Sequence, residues 1–400
     1  MSDIKSTLDK IMQEEIDRGG AVGTVCLAFK DNKEIYRGVF GKDNMTDDKP
    51  IKDSSIFKLF SMTKPVTSLA TMIMIERGLL KPEDYVEDYL PGFKNMKVLQ
   101  ADGSEVPAVS KITIQQLLSM TAGLEYPNDV TGAGLKLGQE LFWPMENKYP
   151  DEMVSTVELM NRVGDYPLLY EPGTKWNYSL CADVLGAVIE VVSGVSYGEF
   201  LKKNIFEPLG MVDTGFWVQE DKYDRLVTMH DYVDGKYVPW DNPFLGTMSR
   251  KYKPAFESGG AGLTSTPDDY AKFALTLLND GTLPAEYSKS GKPVRIISKE
   301  TAEYMRTAQL NDSQRETANW YSLEGYNYGN LMRVLDNPEK AGLKGPAVGE
   351  FGWDGWAGTY VSIDPVNKIV FIYFINVTNG NREYQMKVLK NALYECLDLA

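Results

Sequence analysis

The sequence predicts an α/β fold of the α+β kind, in which an antiparallel sheet flanked by helices is joined to a mostly α-helical lobe. Three observations predict it. A helix and a β-hairpin begin the chain, helical periodicity dominates the middle, and strands followed by a helix end it. We expect residues 1–60 and 255–400 to form the α/β lobe, residues 61–254 to form the helical lobe, and the functional site to lie in the cleft between them.

The N-terminal segment is expected to be a helix followed by two strands. Helical periodicity runs through STLDKIMQEEIDRG and ends at a glycine pair. The next stretch, TVCLAFKDNKEIYRGVFG, is typical of two strands around the turn DNK.

The middle of the chain carries helical patterns separated by Pro and Gly. These patterns are TKPVTSLATMIMIERGLL, TIQQLLSMTAGL and DVLGAVIEVVSGVSYGEFLKKNIFEPLG. Residues 126–155 and 216–256 are irregular, and loops of that length in a compact domain are often functional.

The C-terminal segment returns to mixed structure. A glycine-rich turn, ESGGAGLTS, precedes a helix, PDDYAKFALTLLNDG, and then two strands, TYVSID and KIVFIYFINV, which are joined by DPVN. The continuous apolar run IVFIYFI predicts a central strand that is covered on both faces. The final amphipathic stretch predicts a helix, so both chain ends are expected to share one sheet.

Composition and charge exclude several function classes. The chain has 400 residues, of which 43% are hydrophobic and 24% are charged, as in ordinary globular proteins. Its net charge of −14 repels nucleic-acid phosphates and anionic lipid surfaces. We therefore expect no nucleic-acid partner.

Cysteine usage and the terminus indicate a reducing compartment. The three cysteines, Cys26, Cys181 and Cys396, are far apart, without zinc-site or disulfide spacing. The N-terminus lacks the apolar core of a signal peptide, and no run approaches the roughly 18 apolar residues of a membrane span. We expect a cytoplasmic protein with no membrane span, no metal and no cofactor.

The tetrad SMTK contains a candidate nucleophile and its base. Residues three apart on a helix are neighbours, so the Ser61 hydroxyl and the Lys64 amine can meet. A serine becomes a good nucleophile only beside a base, and burial can keep a lysine neutral. Pro65 in a first helical turn would place Ser61 near the positive end of the helix dipole. Such tetrads are commonly an N-cap serine with a solvated lysine, but the apolar neighbours here argue against solvation.

A histidine is the competing way to activate a serine. The chain has one, His230, in the polar stretch TMHDYVDGKY, where we expect a surface residue. Lysine is therefore the favoured base.

Seven collinear segments resemble the serine β-lactamase and penicillin-binding-protein superfamily, most closely the class C β-lactamases and the family VIII carboxylesterases. They are SMTK, GLLKPEDYVEDYLPGF, ITIQQLLSMTAGL, EPGTKWNYSLCADVLGAVIEVVSG, IFEPLGMVDTGF, SGGAGLTSTPDDYAKFALTLLNDG and FGWDGWAGTYVSIDP. The resemblance implies a β-lactamase/DD-peptidase-like fold in which Ser61 is the nucleophile, while Lys64 and Tyr178 move the proton.

The resemblance also implies the remaining site residues. Leu180 stands where the tyrosine-containing element has an asparagine, and Trp353 begins the element that replaces Lys-Thr-Gly. Gly355 would let substrate approach the strand edge. The backbone N–H of Trp356 would form an oxyanion hole together with that of Ser61. Tyr126, which begins an irregular stretch, is expected to contact substrate.

The departures from the pattern predict the substrate. Trp353 cannot pair with a substrate carboxylate, Asp354 would repel one, and Leu180 removes an amide that would orient an acylamido group. We therefore expect a serine hydrolase that forms an acyl-enzyme, with a small neutral acyl ester as its small-molecule substrate: a carboxylesterase. β-Lactamase, D-amino peptidase or acyltransferase activity stays open, as does a catalytically quiet ligand-binding or scaffold role. The oligomeric state is left open.

Overall fold

A seven-stranded antiparallel sheet, built from both ends of the chain, is the main β element. The computed structural model describes residues 3–45, 48–130, 132–146, 154–240, 251–380 and 383–400. In chain order the strands are β1 Gly23–Lys30, β2 Lys33–Gly41, β3 Tyr326–Tyr328, β4 Arg333–Leu335, β5 Phe351–Asp354, β6 Tyr360–Asp364 and β7 Ile369–Phe374. Their order across the sheet is β3-β4-β5-β6-β7-β1-β2, and every pairing is antiparallel. The antiparallel sheet flanked by helices is therefore confirmed.

The strand patterns of the sequence correspond to the central strands of this sheet. The turn between β1 and β2 consists of Asp31 and Asn32, whose φ angles of 50° and 64° are those of a two-residue hairpin turn. All six residues of β7 are buried, and β7 pairs with β6 on one side and β1 on the other. The prediction that IVFIYFI is a central strand is confirmed.

Thirteen α-helical segments occur in the described residues, and eight of them, α2 to α9, belong to the middle of the chain. They are α1 Ile4–Asp17, α2 Thr63–Glu76, α3 Ile114–Leu118, α4 Gly132–Leu137, α5 Trp143–Glu146, α6 Thr156–Val163, α7 Cys181–Ser193, α8 Tyr197–Leu201, α9 Glu207–Leu209, α10 Pro267–Leu278, α11 Lys299–Met305, α12 Asp312–Arg315 and α13 Leu389–Cys396. Three π-helical turns continue these helices: Gly138–Phe142, Lys202–Phe206 and Tyr384–Val388.

Short strands and 3₁₀ turns complete the described structure. The short strands are Phe57–Lys58, Lys97–Leu99, Glu105–Pro107, His230–Val233, Lys236–Pro239, Thr264–Ser265, Thr282–Leu283, Val294–Arg295 and Val377–Thr378. The 3₁₀ turns are Phe60–Met62, Val86–Asp88, Pro91–Phe93, Glu220–Arg225 and Ala285–Tyr287.

Two sequence expectations differ from the structure. The helix predicted over TIQQLLSMTAGL is only α3, because Met120 adopts a left-handed φ of 58° that ends the helical path. Residues 126–155 and 216–256 were expected to be irregular, but the first range contains α4 and α5, and the second contains the strands His230–Val233 and Lys236–Pro239.

Helix α2 runs through the hydrophobic core. Every residue from Thr63 to Met74 is buried, and the helix packs against α7 and β5. A side chain in the first turns of α2 is therefore desolvated on all sides by protein. Across the described ranges no single helix is long and apolar enough to cross a membrane. One bent pair of helical segments, Cys181–Ser193 with Tyr197–Leu209, has the length and composition of a membrane span.

Candidate active site

Ser61 is presented by a strained turn at the start of α2. It occupies the 3₁₀ turn Phe60–Met62 and is partly exposed, whereas both flanking residues are buried. Phe60 has a left-handed φ of 48°, which costs a non-glycine residue roughly 1–3 kcal/mol and is typical of functional sites. The N–H groups of Met62 and Thr63 donate to the carbonyls of Leu59 and Phe60 and so close this turn. No feature of the sequence marks Phe60 for this conformation.

The Lys64 amine lies at the centre of the site. Its Nζ is 3.2 Å from Ser61 Oγ, the contact that the spacing of the tetrad predicts. The same atom donates to the Tyr126 hydroxyl at 3.0 Å and to the Gly260 carbonyl at 2.9 Å. Lys64 is fully buried, and these three oxygens are its hydrogen-bond partners among the described residues.

Burial gives Lys64 the properties of a base. Desolvation lowers the pKa of Lys64 to about 7, and the negative charge of Asp183 opposes that shift. A substantial fraction of the amine is therefore neutral at neutral pH. A neutral amine retains one lone pair that can take the Ser61 proton.

Tyr178 joins the nucleophile to the β5 strand. Its hydroxyl is hydrogen-bonded to the Ser61 side chain and accepts the indole N–H of Trp353 at 3.2 Å. Its ring lies 4.6 Å from Lys64 Nζ. Burial raises the pKa of Tyr178 above its ordinary value, although both hydrogen bonds lower it. Tyr178 therefore keeps its proton at neutral pH and can donate it.

Tyr126 contacts the base directly. Its partly buried hydroxyl accepts a hydrogen bond from Lys64, and its ring centroid is 5.7 Å from that of Tyr178. Burial raises the pKa of Tyr126 well above its ordinary value, so it too stays protonated. The sequence placed Tyr126 among the substrate-binding residues; the structure adds a contact with Lys64.

Two residues expected to contact substrate are enclosed by protein. Leu180 and Trp353 are each 1% exposed and belong to the hydrophobic core. Leu180 precedes α7 and packs among apolar side chains. Trp353 directs its indole N–H at Tyr178. The expected substrate contact of these side chains is therefore corrected: Leu180 packs, and Trp353 orients a site tyrosine.

The charge of Asp354 is balanced within the protein. Its carboxylate accepts a hydrogen bond at 2.9 Å from Arg333, which is itself fully buried, and a further hydrogen bond from the Tyr321 hydroxyl. The expected repulsion of a substrate carboxylate by Asp354 is therefore wrong, because Arg333 neutralises the carboxylate. Strand β5 still lacks a cation for a substrate carboxylate, because the position that would carry one is occupied by Trp353.

Gly355 allows β5 to approach the serine-bearing segment. A Cβ at this position would lie 2.3 Å from the Leu59 carbonyl oxygen and 2.1 Å from Thr359 Oγ1. The space that glycine provides is therefore used by the protein's own backbone, and not by substrate as the sequence suggested. This approach brings Trp356 close to the turn that carries Ser61. The Trp356 ring packs edge-on against that of Phe60, with the ring centroids 5.6 Å apart.

Aromatic rings flank the site on two sides. The Trp320 ring centroid lies 4.4 Å from that of Tyr178. On the other side Trp356, 36% exposed, packs between Phe60 and Trp240, whose ring is 5.0 Å away. A ligand bound at Ser61 would therefore meet apolar, polarisable surfaces.

His230 is not the surface residue that its polar neighbours suggested. It is 2% exposed, and its backbone N–H donates to the Asn376 carbonyl in strand pairing. Burial lowers the pKa of His230. Among the described residues no hydrogen bond joins His230 to Ser61, so the lysine contact stands without a histidine competitor.

Gly260 and Asp183 lie behind Lys64, and their roles were not predicted from the sequence. Gly260 was read only as part of a turn, yet its carbonyl accepts from Lys64. Asp183, 1% exposed in α7, accepts the Gly260 N–H. A carboxylate within the apolar stretch CADVLGAVIEVV was the signal that could have found it.

A metal centre has no ligand set in the described part of the chain. No group of three or more His, Cys, Asp or Glu side chains there is arranged to hold an ion. The cysteines Cys26, Cys181 and Cys396 are buried, and none of them forms a disulfide with another described residue.

Comparison with known proteins adds to this geometry. A sequence profile of the family described as Beta-lactamase matches residues 8–394. Esterase EstB of Burkholderia gladioli is 30% identical over 98% of this chain and 95% of its own length. The solved structure of "EstCE1, a hydrolase with promiscuous acyltransferase activity" is 27% identical, with a TM-score of 0.79 over 98% of both chains. Simvastatin Synthase (LovD) from Aspergillus terreus, 20% identical with a TM-score of 0.82 over 100% of both chains, has the same fold.

Proposed function

The chain belongs to the Beta-lactamase family and is a serine hydrolase, and we propose that within this family it is a carboxylesterase that forms an acyl-enzyme on Ser61. The observation that carries the proposal is the contact between the partly exposed Ser61 hydroxyl and the buried Lys64 amine at 3.2 Å. A nucleophile beside a desolvated base is the arrangement that acyl transfer requires.

Acylation begins with proton transfer inside this pair. The Ser61 hydroxyl gives its proton to neutral Lys64 as Oγ bonds to the ester carbonyl carbon, and the carbonyl electron pair moves onto oxygen. The backbone N–H groups of Ser61 and Trp356 would hold the resulting oxyanion. When the tetrahedral intermediate collapses, the bond to the alcohol breaks, Tyr178 protonates the leaving alkoxide, and the Lys64 proton restores Tyr178.

Deacylation repeats these steps with water in place of serine. Water gives a proton to the Lys64 amine as its oxygen bonds to the acyl carbon, and the returning proton releases Ser61 and the carboxylic acid. The side chains of this path are linked through the Ser61 hydroxyl, which contacts Lys64 at 3.2 Å and is hydrogen-bonded to Tyr178.

Neutral surroundings support an uncharged ester as substrate. Trp353 takes the position of a cation that would pair with a carboxylate, and Arg333 is committed to Asp354. The exposed face of Trp356 and the ring of Trp320 offer apolar contact. We propose that short, neutral acyl groups bind against these rings in the cleft between the sheet and the helical region. We also keep the cytoplasm as the proposed location.

Transfer of the acyl group to an alcohol is the second candidate function. The similarity to EstCE1, which is described as having promiscuous acyltransferase activity, favours it. An alcohol would replace water in deacylation without any further catalytic group.

A fluorophosphonate probe tests the proposal directly. The probe should attach to Ser61, located by peptide mass mapping, and Lys64→Ala should abolish labelling because the hydroxyl then lacks its base. Ser68→Ala, four positions after Lys64 in the same helix, is the matched control and should label as wild type. If correctly folded wild-type protein is not labelled, a ligand-binding or scaffold role is favoured instead.

A further inference from the structure

Gly260 links the Asp183 carboxylate to the Lys64 amine. Asp183 Oδ1 accepts the Gly260 N–H at 3.1 Å and the Ser258 hydroxyl at 2.5 Å. The carbonyl of the same glycine accepts from Lys64 at 2.9 Å. Asp183 lies in the first turn of α7 and is 1% exposed, so it is held within the core and does not reach the substrate cleft.

The close approach at Gly260 leaves little freedom. A Cβ there would lie 2.5 Å from Asp183 Oδ2 and 3.0 Å from the Tyr126 hydroxyl oxygen. Any larger residue would therefore push apart the groups that surround Lys64. The glycine is kept in contact with Asp183 on one side and with Lys64 on the other.

Proton counting shows what this arrangement does to the amine. A protonated Lys64 has three N–H bonds for three acceptors, whereas a neutral amine has two N–H bonds and one lone pair. The Gly260 carbonyl can only accept, so it always takes one N–H. When Tyr126 takes the second, the lone pair is directed at Ser61, and the amine can accept the serine proton.

Among the groups whose charge raises the pKa of Lys64, Asp183 has the largest effect. The others are Cys181 and Asp354. Burial raises the pKa of Cys181 to about 12, so the thiol is uncharged at neutral pH, and Asp354 is paired with Arg333. Burial also raises the pKa of Asp183, while Lys64 and the hydrogen bonds from Ser258 and Gly260 oppose that shift.

We infer that Asp183 is a positioning residue: it holds Gly260 against Lys64 and places a negative charge behind the amine, so that the lone pair of Lys64 is aimed at Ser61. The inference rests on the proposed role of Lys64 as the base. Asp183 itself touches neither substrate nor the reacting atoms.

The test is the pH dependence of kcat/KM in Asp183→Asn. The amide oxygen can still accept hydrogen bonds, but the charge that raises the Lys64 pKa is gone, so that pKa should fall further. Because the base works only when neutral, the acid limb of the profile should move to lower pH by about one unit. The ratio of variant to wild-type activity should therefore rise as pH falls, whatever the loss at high pH.

Asp269→Asn is the matched control. Asp269 is also a buried carboxylate in the first turn of a helix, α10, and accepts a backbone N–H, from Asp213 at 2.7 Å. Its replacement should leave the acid limb in place. A uniform loss at every pH in Asp183→Asn, with the limb unmoved, would overturn the inference and indicate a merely structural role.

A second variant covers the case in which Asp183→Asn does not fold. Asp183→Ser also removes the charge but keeps a smaller side chain that can accept a hydrogen bond, and it should move the limb in the same direction; an unmoved limb contradicts the inference. Failure of the proposed function is distinguishable from both results. It would appear in the wild type, as absence of ester turnover and of fluorophosphonate labelling at Ser61.

Discussion

The indole N–H of Trp353 donates to the Tyr178 hydroxyl across 3.2 Å. This hydrogen bond joins strand β5 to the tyrosine that we propose to pass the proton, and it does so with a neutral donor. The β5 position that would carry a cation for substrate carboxylates thus carries an aromatic that orients a catalytic candidate.

Removing this donor should slow the reaction more than it weakens binding. In Trp353→Phe the Tyr178 hydroxyl loses one partner, and we expect kcat to fall by about tenfold with little change in KM. Steady-state kinetics with p-nitrophenyl butyrate measure both constants. The matched control is Trp176→Phe. The Trp176 ring also stacks on Tyr178, at 6.2 Å, but its indole N–H has no hydrogen-bond partner among the described residues. Equal losses in the two variants would contradict an orienting hydrogen bond.

Ser61→Ala should abolish ester hydrolysis and preserve the fold. We expect kcat to fall by roughly 10⁴-fold or more, because no other nucleophile can form the acyl-enzyme. The free energy of unfolding should change by less than about 1 kcal/mol, since the side chain is partly exposed. Turnover of a p-nitrophenyl ester and denaturant unfolding measure the two effects. Ser68→Ala, whose buried hydroxyl lacks a partner in the described structure, should keep full activity. Wild-type turnover by purified Ser61→Ala would refute the nucleophile assignment.

Lys64 and Tyr178 should act as one unit. Tyr178 is hydrogen-bonded to Ser61, and Lys64 contacts the same oxygen, so removal of either interrupts a single proton path. We expect Lys64→Ala, Tyr178→Phe and the double variant to lose comparable factors in kcat, because catalytic groups that work together are non-additive. If the losses multiply in the double variant, Tyr178 contributes packing alone.

Activity should rise with pH through the pKa of Lys64, about 7. Below this value the amine is protonated and cannot accept the Ser61 proton; above it the neutral base predominates. The kcat/KM profile of the free enzyme should therefore show one acid limb near pH 7. His230→Gln is the control for the other group that could titrate there, and its limb should be unchanged. A limb that disappears in His230→Gln would assign the titration to the histidine.

Local relationships were accessible from the sequence. The contact between Ser61 and Lys64 follows from residues three apart at the start of a helix, and the β1–β2 hairpin follows from one turn. Burial of Lys64 was also indicated, because many of its neighbours in sequence are apolar.

Relationships between distant segments were not accessible. Trp353 and Tyr178 are 175 positions apart, and their hydrogen bond depends on how β5 packs beside the segment that precedes α7. The neutralisation of Asp354 depends on Arg333 in the neighbouring strand. The burial of His230 likewise follows from strand pairing that no local pattern marks. In each case a long-range contact overrode the local polarity of the sequence.

Comparing the turnover of an ester with that of a β-lactam tests whether the protein is a carboxylesterase. The measurement compares kcat/KM of the wild type for p-nitrophenyl butyrate with that for nitrocefin, with the Ser61→Ala background subtracted from both. We predict a ratio of at least about 100 in favour of the ester, because the site lacks a charged partner for the β-lactam carboxylate. Nitrocefin turnover that equals or exceeds ester turnover would contradict the proposed carboxylesterase function and identify the protein as a β-lactamase.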